Sequence, residues 1–148
     1  MIVSATGGTY ILPVELSSPA AIEVGRLGRL SFDAGIYAYV GSAFGPGGLA
    51  ARLRRYADGP QRVHWHIDYL LKHSEVRNAL VSTSQNRLEC VWAQWMRGRG
   101  LDFVPGFGSS DCRCMSHLSY LGNLEEAEEI IRAAGCELKA TTSIEGRR

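Results

Sequence analysis

The sequence predicts an α/β fold of the α+β kind, a small, mainly antiparallel sheet of three to four strands flanked by helices. Three observations predict it. Short apolar segments with period-two alternation crowd the N-terminal third. Segments with apolar residues at helical spacing fill the rest. Glycine- and proline-rich breaks separate the two kinds.

The first segment, Tyr10 to Leu16, is a strand, and Pro13 within it argues for an edge or a bend. Ser17-Ser18-Pro19 makes a turn. Ile22 to Leu30 alternates loosely as a second strand, interrupted by Gly25 and Gly28. Gly35 to Gly41 is the clearest strand, with Ile36, Ala38 and Val40 on one face and Tyr37 and Tyr39 on the other. Three strands so close in sequence suggest an antiparallel meander.

Gly45-Pro46-Gly47-Gly48 then breaks the chain. Leu49, Leu53 and Tyr56 recur at helical spacing until Asp58-Gly59-Pro60 ends the helix. His64 to His73 is a second helix with Ile67, Leu70 and Leu71 facing inward, and Val76 to Ser82 is another strand. Asn86 to Arg97 is a third helix with Leu88, Val91, Trp92, Trp95 and Met96 as its apolar stripe. Residues 100 to 122 are irregular or strand-like. Asn123 to Ala134 is a last helix, opened by an Asn123/Glu126 capping box and stopped at Gly135.

At 148 residues the chain fits one domain with a real core. We place that domain at 1–140. Ile144-Glu145-Gly146-Arg147 matches a factor Xa cleavage site, so 141–148 reads as a tail left from expression. There are no internal repeats and no low-complexity linker. Composition is 45% hydrophobic and 21% charged, ordinary for a soluble globular protein. No apolar run approaches ~18 residues, so no membrane span is expected. The N-terminus lacks the pattern of a secretory signal, so a cytoplasmic location is expected. In that compartment Cys90, Cys112, Cys114 and Cys136 would be thiols or metal ligands.

The net charge of +1 gives no support to nucleic-acid binding, but its distribution is uneven. Arg52, Arg54, Arg55, Arg62 and Lys72 make the middle basic, and Glu125, Glu126, Glu128, Glu129 and Glu137 make the end acidic. This suggests one face for phosphates and another turned away. Two ordinary solvated helix faces would look the same.

The chemistry sits in Gly8-Thr9-Tyr10, Tyr39-Val40-Gly41, Arg52 and Glu89. These supply two phenols, a phosphate-binding cation and a metal-binding carboxylate. Phosphodiester hydrolysis needs an oriented water, compensation of phosphoryl charge and a stabilised leaving oxygen. The set resembles the GIY-YIG nuclease superfamily. From about Gly8 to about Leu121 it looks like the small stand-alone Uri-type branch.

The resemblance implies a metal-dependent endonuclease with Tyr10, Tyr39, Arg52, Tyr56 and Glu89 as catalytic residues. Its substrate would be DNA in the first place and RNA in the second, with a repair- or structure-related target. Tyr10 would activate water with help from Tyr39, although a phenol with a pKa of ~10 is a poor base near neutrality unless its surroundings lower it. Arg52 would hold the scissile phosphate through its planar fork, with Tyr56 one turn further on the same helix face. Glu89 would hold Mg²⁺ or Mn²⁺. Gly41 would let a backbone or phosphate approach closely. Ser42, Arg55, His66 and Ser110 are further candidate DNA contacts.

Four points complicate the match. Gly35-Ile36-Tyr37 spells the first family motif but lies on the strand of Tyr39, so we assign that motif to Gly8-Thr9-Tyr10. Ser42 stands where the family's DNA-repair members carry lysine. Asn86 with Glu89 also forms a capping-box pattern that would occupy the carboxylate. Phe107 to His117, also similar to the Uri-type branch, contains Cys112, Cys114 and His117, which could ligate structural zinc with Cys90 as a fourth ligand. The alternatives are a nucleic-acid-binding module without the reaction and a zinc-stabilised interaction domain. No separate DNA-binding domain is visible, so specificity would come from this domain, a protein partner or a homodimer.

Overall fold

The computed structural model describes residues 5–143. Its centre is two nine-residue strands, β1 (Gly8–Leu16) and β4 (Gly35–Ala43). They pair antiparallel along their whole length, from Gly8 opposite Ala43 to Leu16 opposite Gly35. Around them lie β5 (Glu75–Val76), β6 (Ala79–Ser82), β7 (Leu118–Gly122) and β8 (Thr141–Ser143). The order is β7-β4-β1-β6-β8, with β5 also on β1, and every pairing is antiparallel. The α+β architecture is therefore as expected, but the sheet has six strands rather than three to four.

The meander does not form. The segment between β1 and β4 makes its own two-stranded sheet, β2 (Ala20–Glu23) and β3 (Arg29–Phe32), joined by a 3₁₀ turn at Gly25–Leu27. Its inward residues Ile22, Val24 and Phe32 pack against the sheet's face instead of extending its edge.

Pro13 also sits differently from expectation, in a central strand. Its carbonyl accepts the Arg77 amide at 2.9 Å, so its absent N–H would point the same way. There the neighbouring strand is interrupted, between Val76 opposite Val14 and Leu80 opposite Ile11. The proline occupies a stretch where no ladder bond is asked of its nitrogen.

Alternation along β1 and β4 sends side chains to two cores. Tyr10, Leu12, Val14, Leu16, Tyr37 and Tyr39 face one side. Helices α1 (Gly48–Asp58) and α2 (His66–Leu71), with the hairpin, cover it through Leu49, Leu53, Tyr56, Ile67 and Leu70. Ile11, Ile36, Ala38, Val40 and Leu80 face the other side. There α3 (Glu89–Gly98) brings Trp92 and Met96, and α4 (Leu124–Glu137) brings Ala127 and Ala134. The basic α1 and the acidic α4 thus lie on opposite faces of one sheet.

Helix ends show which local signals prevailed. Asn123 and Glu126 form the expected capping box at 2.8 and 3.0 Å. Gly135 does not stop α4, which runs to Glu137 and turns through Lys139 at φ 55. That turn delivers Thr141–Ser143 to β6, so these three residues add an edge strand beyond the expected boundary at 140. The factor Xa-like Ile144–Arg147 lies outside the described residues. Helix α3 starts at Glu89 rather than Asn86, and its Val91 is exposed instead of joining the apolar stripe.

Candidate functional site

The antiparallel register places Tyr10 opposite Gly41. A Cβ on Gly41 would lie 2.6 Å from Cζ of Tyr10 and in contact with its hydroxyl. The glycine is thus required by the Tyr10 ring that covers it, and the close approach expected there is made by this side chain. The rings of Tyr10 and Tyr39 are 6.4 Å apart, and those of Tyr10 and Tyr56 are 5.7 Å apart, edge to face. The hydroxyls of Tyr10 and Tyr56 share a hydrogen bond of 2.6 Å. Tyr37, in the decoy motif, instead donates to the Asp33 carbonyl at 2.8 Å.

All three phenols are held neutral. Burial pushes Tyr10 well above its ordinary value, reinforced by Tyr56 and Tyr39, and the nearby Arg52 does not offset it. Tyr39 is raised in the same way, first by burial and then by Tyr56 and Glu89. Tyr56 is raised by burial against the opposing pull of Tyr10 and Arg52. This is the opposite of the shift a general base at Tyr10 needs.

Arg52 comes from the second turn of α1 and donates from Nη1 to the Ser42 carbonyl at 2.7 Å. Burial works against its charge, and the Tyr10 and Tyr56 hydroxyls outweigh it, so its pKa is raised. Its guanidinium lies over Trp65 at 4.4 Å, and Arg55 lies over the same ring at 4.6 Å. Arg55 is further engaged by Asp68, with bonds of 2.8 and 2.9 Å to its two oxygens. Asp68 is fully buried and also accepts the amides of His64 and Trp65 at 2.7 and 2.8 Å. Burial alone would raise its pKa, but Arg55 and the two amides hold it below the ordinary value. Arg55, expected as a DNA contact, is committed to this pair.

Glu89 opens α3 on the other side of Ser42. Its Oε1 accepts the Ser42 hydroxyl at 2.8 Å, and its Oε2 lies 3.0 Å from Nδ1 of His117. Nothing caps α3 through Asn86, so the capping alternative is not realised. Burial would raise Glu89, yet the bonds from His117 and Ser42 hold it below the ordinary range, and 31% of its side chain stays exposed. An ionised, partly exposed carboxylate fits a hard divalent cation.

His117 is buried just before β7, with its Nδ1 also 3.0 Å from the Val40 carbonyl. Both neighbours of Nδ1 are acceptors, so Nδ1 carries the proton. Burial would lower the pKa of His117; Glu89 and Val40 raise it instead. Its Nε2 faces Sγ of Cys112 at 3.4 Å. Cys90, Cys112, Cys114 and His117 bring four ligand atoms within 4.8 Å of one another. This cluster can hold a metal ion. The crowded thiols share charge unevenly. Cys112 lies below its ordinary value, with burial overcome by bonds from Cys114 and His117. Cys114 is pushed up to about 12 by burial and by Cys90 and Cys112.

The sequence matches a protein family described as a domain of unknown function, DUF123, over residues 9–140. The chain belongs to this family. No curated protein and no solved structure matches it. The DUF123 region runs from Thr9 through every site residue discussed above and ends one residue before β8.

The structure thus joins Tyr10, Tyr39, Tyr56, Arg52, Gly41, Ser42 and Glu89 around the end of β4, and Cys112, Cys114 and His117 around Cys90. The Nδ1 of His66 accepts the Gly108 amide at 2.8 Å and fixes the loop that covers Tyr39. Ser110 is exposed on that loop, whereas Ser109 is buried. Sequence reasoning missed Trp65 as the platform for two arginines and Asp68 as the buried anchor of Arg55. The unusual His64-Trp65-His66-Ile67-Asp68 run was the available signal. It also missed the contact of His117 with Glu89, for which no local pattern exists.

Proposed function

We propose that this DUF123 domain is a metal-dependent endonuclease that hydrolyses phosphodiester bonds in DNA. The single observation that supports it most is the division of labour at Ser42. Its carbonyl accepts from Arg52, and its hydroxyl donates to Glu89. A permanent cation and an ionised carboxylate therefore flank one residue at an open strand end, backed by hydrogen-bonded phenols. The resemblance to GIY-YIG nucleases supports the same reading.

Arg52 binds and orients the phosphate and offsets its charge. Tyr10, Tyr39 and Tyr56 act as neutral donors that position water and phosphate oxygens; the water-activating role first expected for Tyr10 is not favoured by its burial. Glu89 holds Mg²⁺ or Mn²⁺, which when bound would stabilise charge on the leaving oxygen. The three thiols and one imidazole of the second cluster are the donor set that selects zinc, read here as structural.

The competing reading is a DNA-binding module without the reaction, and the three neutral phenols favour it. Labelled duplex, nicked, branched and single-stranded DNA, incubated in EDTA, Mg²⁺ and Mn²⁺, decide between the two. Metal-dependent cutting that Glu89→Ala abolishes supports the nuclease. Binding without cutting of every substrate supports the module.

A further inference from the structure

We infer that His117 couples the thiol cluster to Glu89, so that zinc in the cluster positions the carboxylate for its own divalent cation. This rests on the proposed role of Glu89. The imidazole bridges two groups of different chemistry: Nε2 lies 3.4 Å from Sγ of Cys112, and Nδ1 lies 3.0 Å from Oε2 of Glu89. The proton is fixed on Nδ1 by two acceptors, which leaves the lone pair of Nε2 aimed at the thiols. That is the tautomer a metal-ligating histidine needs, with a carboxylate behind it.

The cluster geometry is close to closed. Ligand atoms at about 2.0–2.3 Å from a tetrahedral zinc lie roughly 3.5–3.8 Å from one another. The four atoms here already sit within 4.8 Å. A cysteine, histidine and carboxylate in line would also suit a thiol nucleophile. Cys90 and Cys114 crowd the same sulfur, and three thiols at one imidazole are a ligand set rather than a nucleophile and base.

The elements add leverage. Cys90 follows Glu89 directly at the start of α3, while Cys112, Cys114 and His117 belong to the segment leading into β7. A metal held by all four ties the first turn of α3 to that segment. It thereby fixes the backbone and the side chain of Glu89 together, while Ser42 holds its other oxygen. His117 is a positioning residue in this arrangement.

The test uses His117→Cys in the full chain. The substitution offers a fourth thiolate for zinc but no N–H for Glu89. Expected are about one zinc per chain in the parent, zinc retained in His117→Cys, and a cooperative thermal melt in both. Mn²⁺ affinity, read by electron paramagnetic resonance without DNA, should fall about tenfold in His117→Cys, in the range of lost outer-shell partners. Should His117→Cys not fold, Glu89→Gln serves in its place: it removes the carboxylate behind His117, and its zinc affinity should fall about tenfold, in the range of lost outer-shell partners.

Parent-like Mn²⁺ affinity in folded, zinc-loaded His117→Cys overturns the inference. So does parent-like zinc affinity in Glu89→Gln, or a parent that takes up no zinc and alkylates rapidly at Cys112. A parent that cuts no DNA, but whose Mn²⁺ affinity falls with His117→Cys as described, sinks the nuclease and leaves the coupling standing.

Discussion

The two faces of β4 do different electrostatic work with residues three apart on one strand. Tyr39 points to a sealed face, where Tyr10 and Tyr56 share a 2.6 Å hydrogen bond and burial keeps every phenol neutral. Ser42 points to the other face, where Glu89 stays ionised and 31% exposed beside His117. The contrast teaches that the charged chemistry belongs to the strand's end. The aromatic side contributes shape and donors. Arg52 links the two, because it bonds the Ser42 backbone carbonyl while its guanidinium also engages the Tyr10 and Tyr56 hydroxyls.

The largest effect that breaks this contrast is loss of either charge. Glu89→Ala and Arg52→Ala should each lower the cleavage rate by about 10²-fold or more, as for loss of a group that stabilises transition-state charge. Both should keep the parent's circular dichroism spectrum, since both side chains lie at the margin of the core. Cleavage at the parental rate by either variant removes that residue from the mechanism.

Next comes the anchor of Arg55, which shares the Trp65 ring with Arg52. Asp68→Ala leaves Arg55 without its bidentate partner and two backbone amides without an acceptor. Breaking such a pair should destabilise by about 3 kcal/mol, the low end for buried pairs because Arg55 reaches solvent. The pH dependence follows from the sign of the shift. The folded pKa of Asp68 lies below its ordinary 3.8, so its contribution is complete above that value and is lost as pH falls through the folded pKa. Urea titrations of parent and Asp68→Ala should therefore converge in acid. A constant gap down to the lowest accessible pH would contradict the ionised pair.

Gly41→Ala attacks the sealed face alone. Its Cβ would meet the Tyr10 ring at 2.6 Å, so Tyr10 or the strand must move. A loss of about 1–3 kcal/mol is expected from such overpacking. Unchanged stability in a thermal melt would mean that the ring is free to swing away.

How much of this was legible depends on range. The alternation of Ile36, Ala38 and Val40 against Tyr37 and Tyr39 reported both faces of β4, because strand period is local. The α4 cap was legible for the same reason: Asn123 and Glu126 find each other within one turn. The central place of Pro13 was not, since it depends on an interruption in the strand around Arg77, far along the chain. The hairpin misled because the loose alternation from Ile22 to Leu30 reads alike as sheet extension and as cover. In the site, the motifs that carry the family resemblance pointed to Tyr10, Tyr39, Arg52 and Glu89. The reason for Gly41 needed the β1–β4 register, and the His117–Glu89 contact needed two elements brought together by the whole fold.

The smallest effect concerns the hydrogen bond between the two phenols. Tyr10→Phe and Tyr56→Phe each remove one hydroxyl and should each cost about 1 kcal/mol, with the double variant losing less than the sum because the pair is already broken. Cleavage sharpens the comparison further. If the phenols only position water and phosphate, each single variant should slow cutting modestly and leave its pH profile in place. If Tyr10 ionises during the reaction, Tyr10→Phe should abolish cutting and Tyr56→Phe should shift the alkaline limb of the profile. A measured profile for the Tyr56→Phe variant therefore separates a donor from a base at Tyr10, with no need to assume which one burial allows.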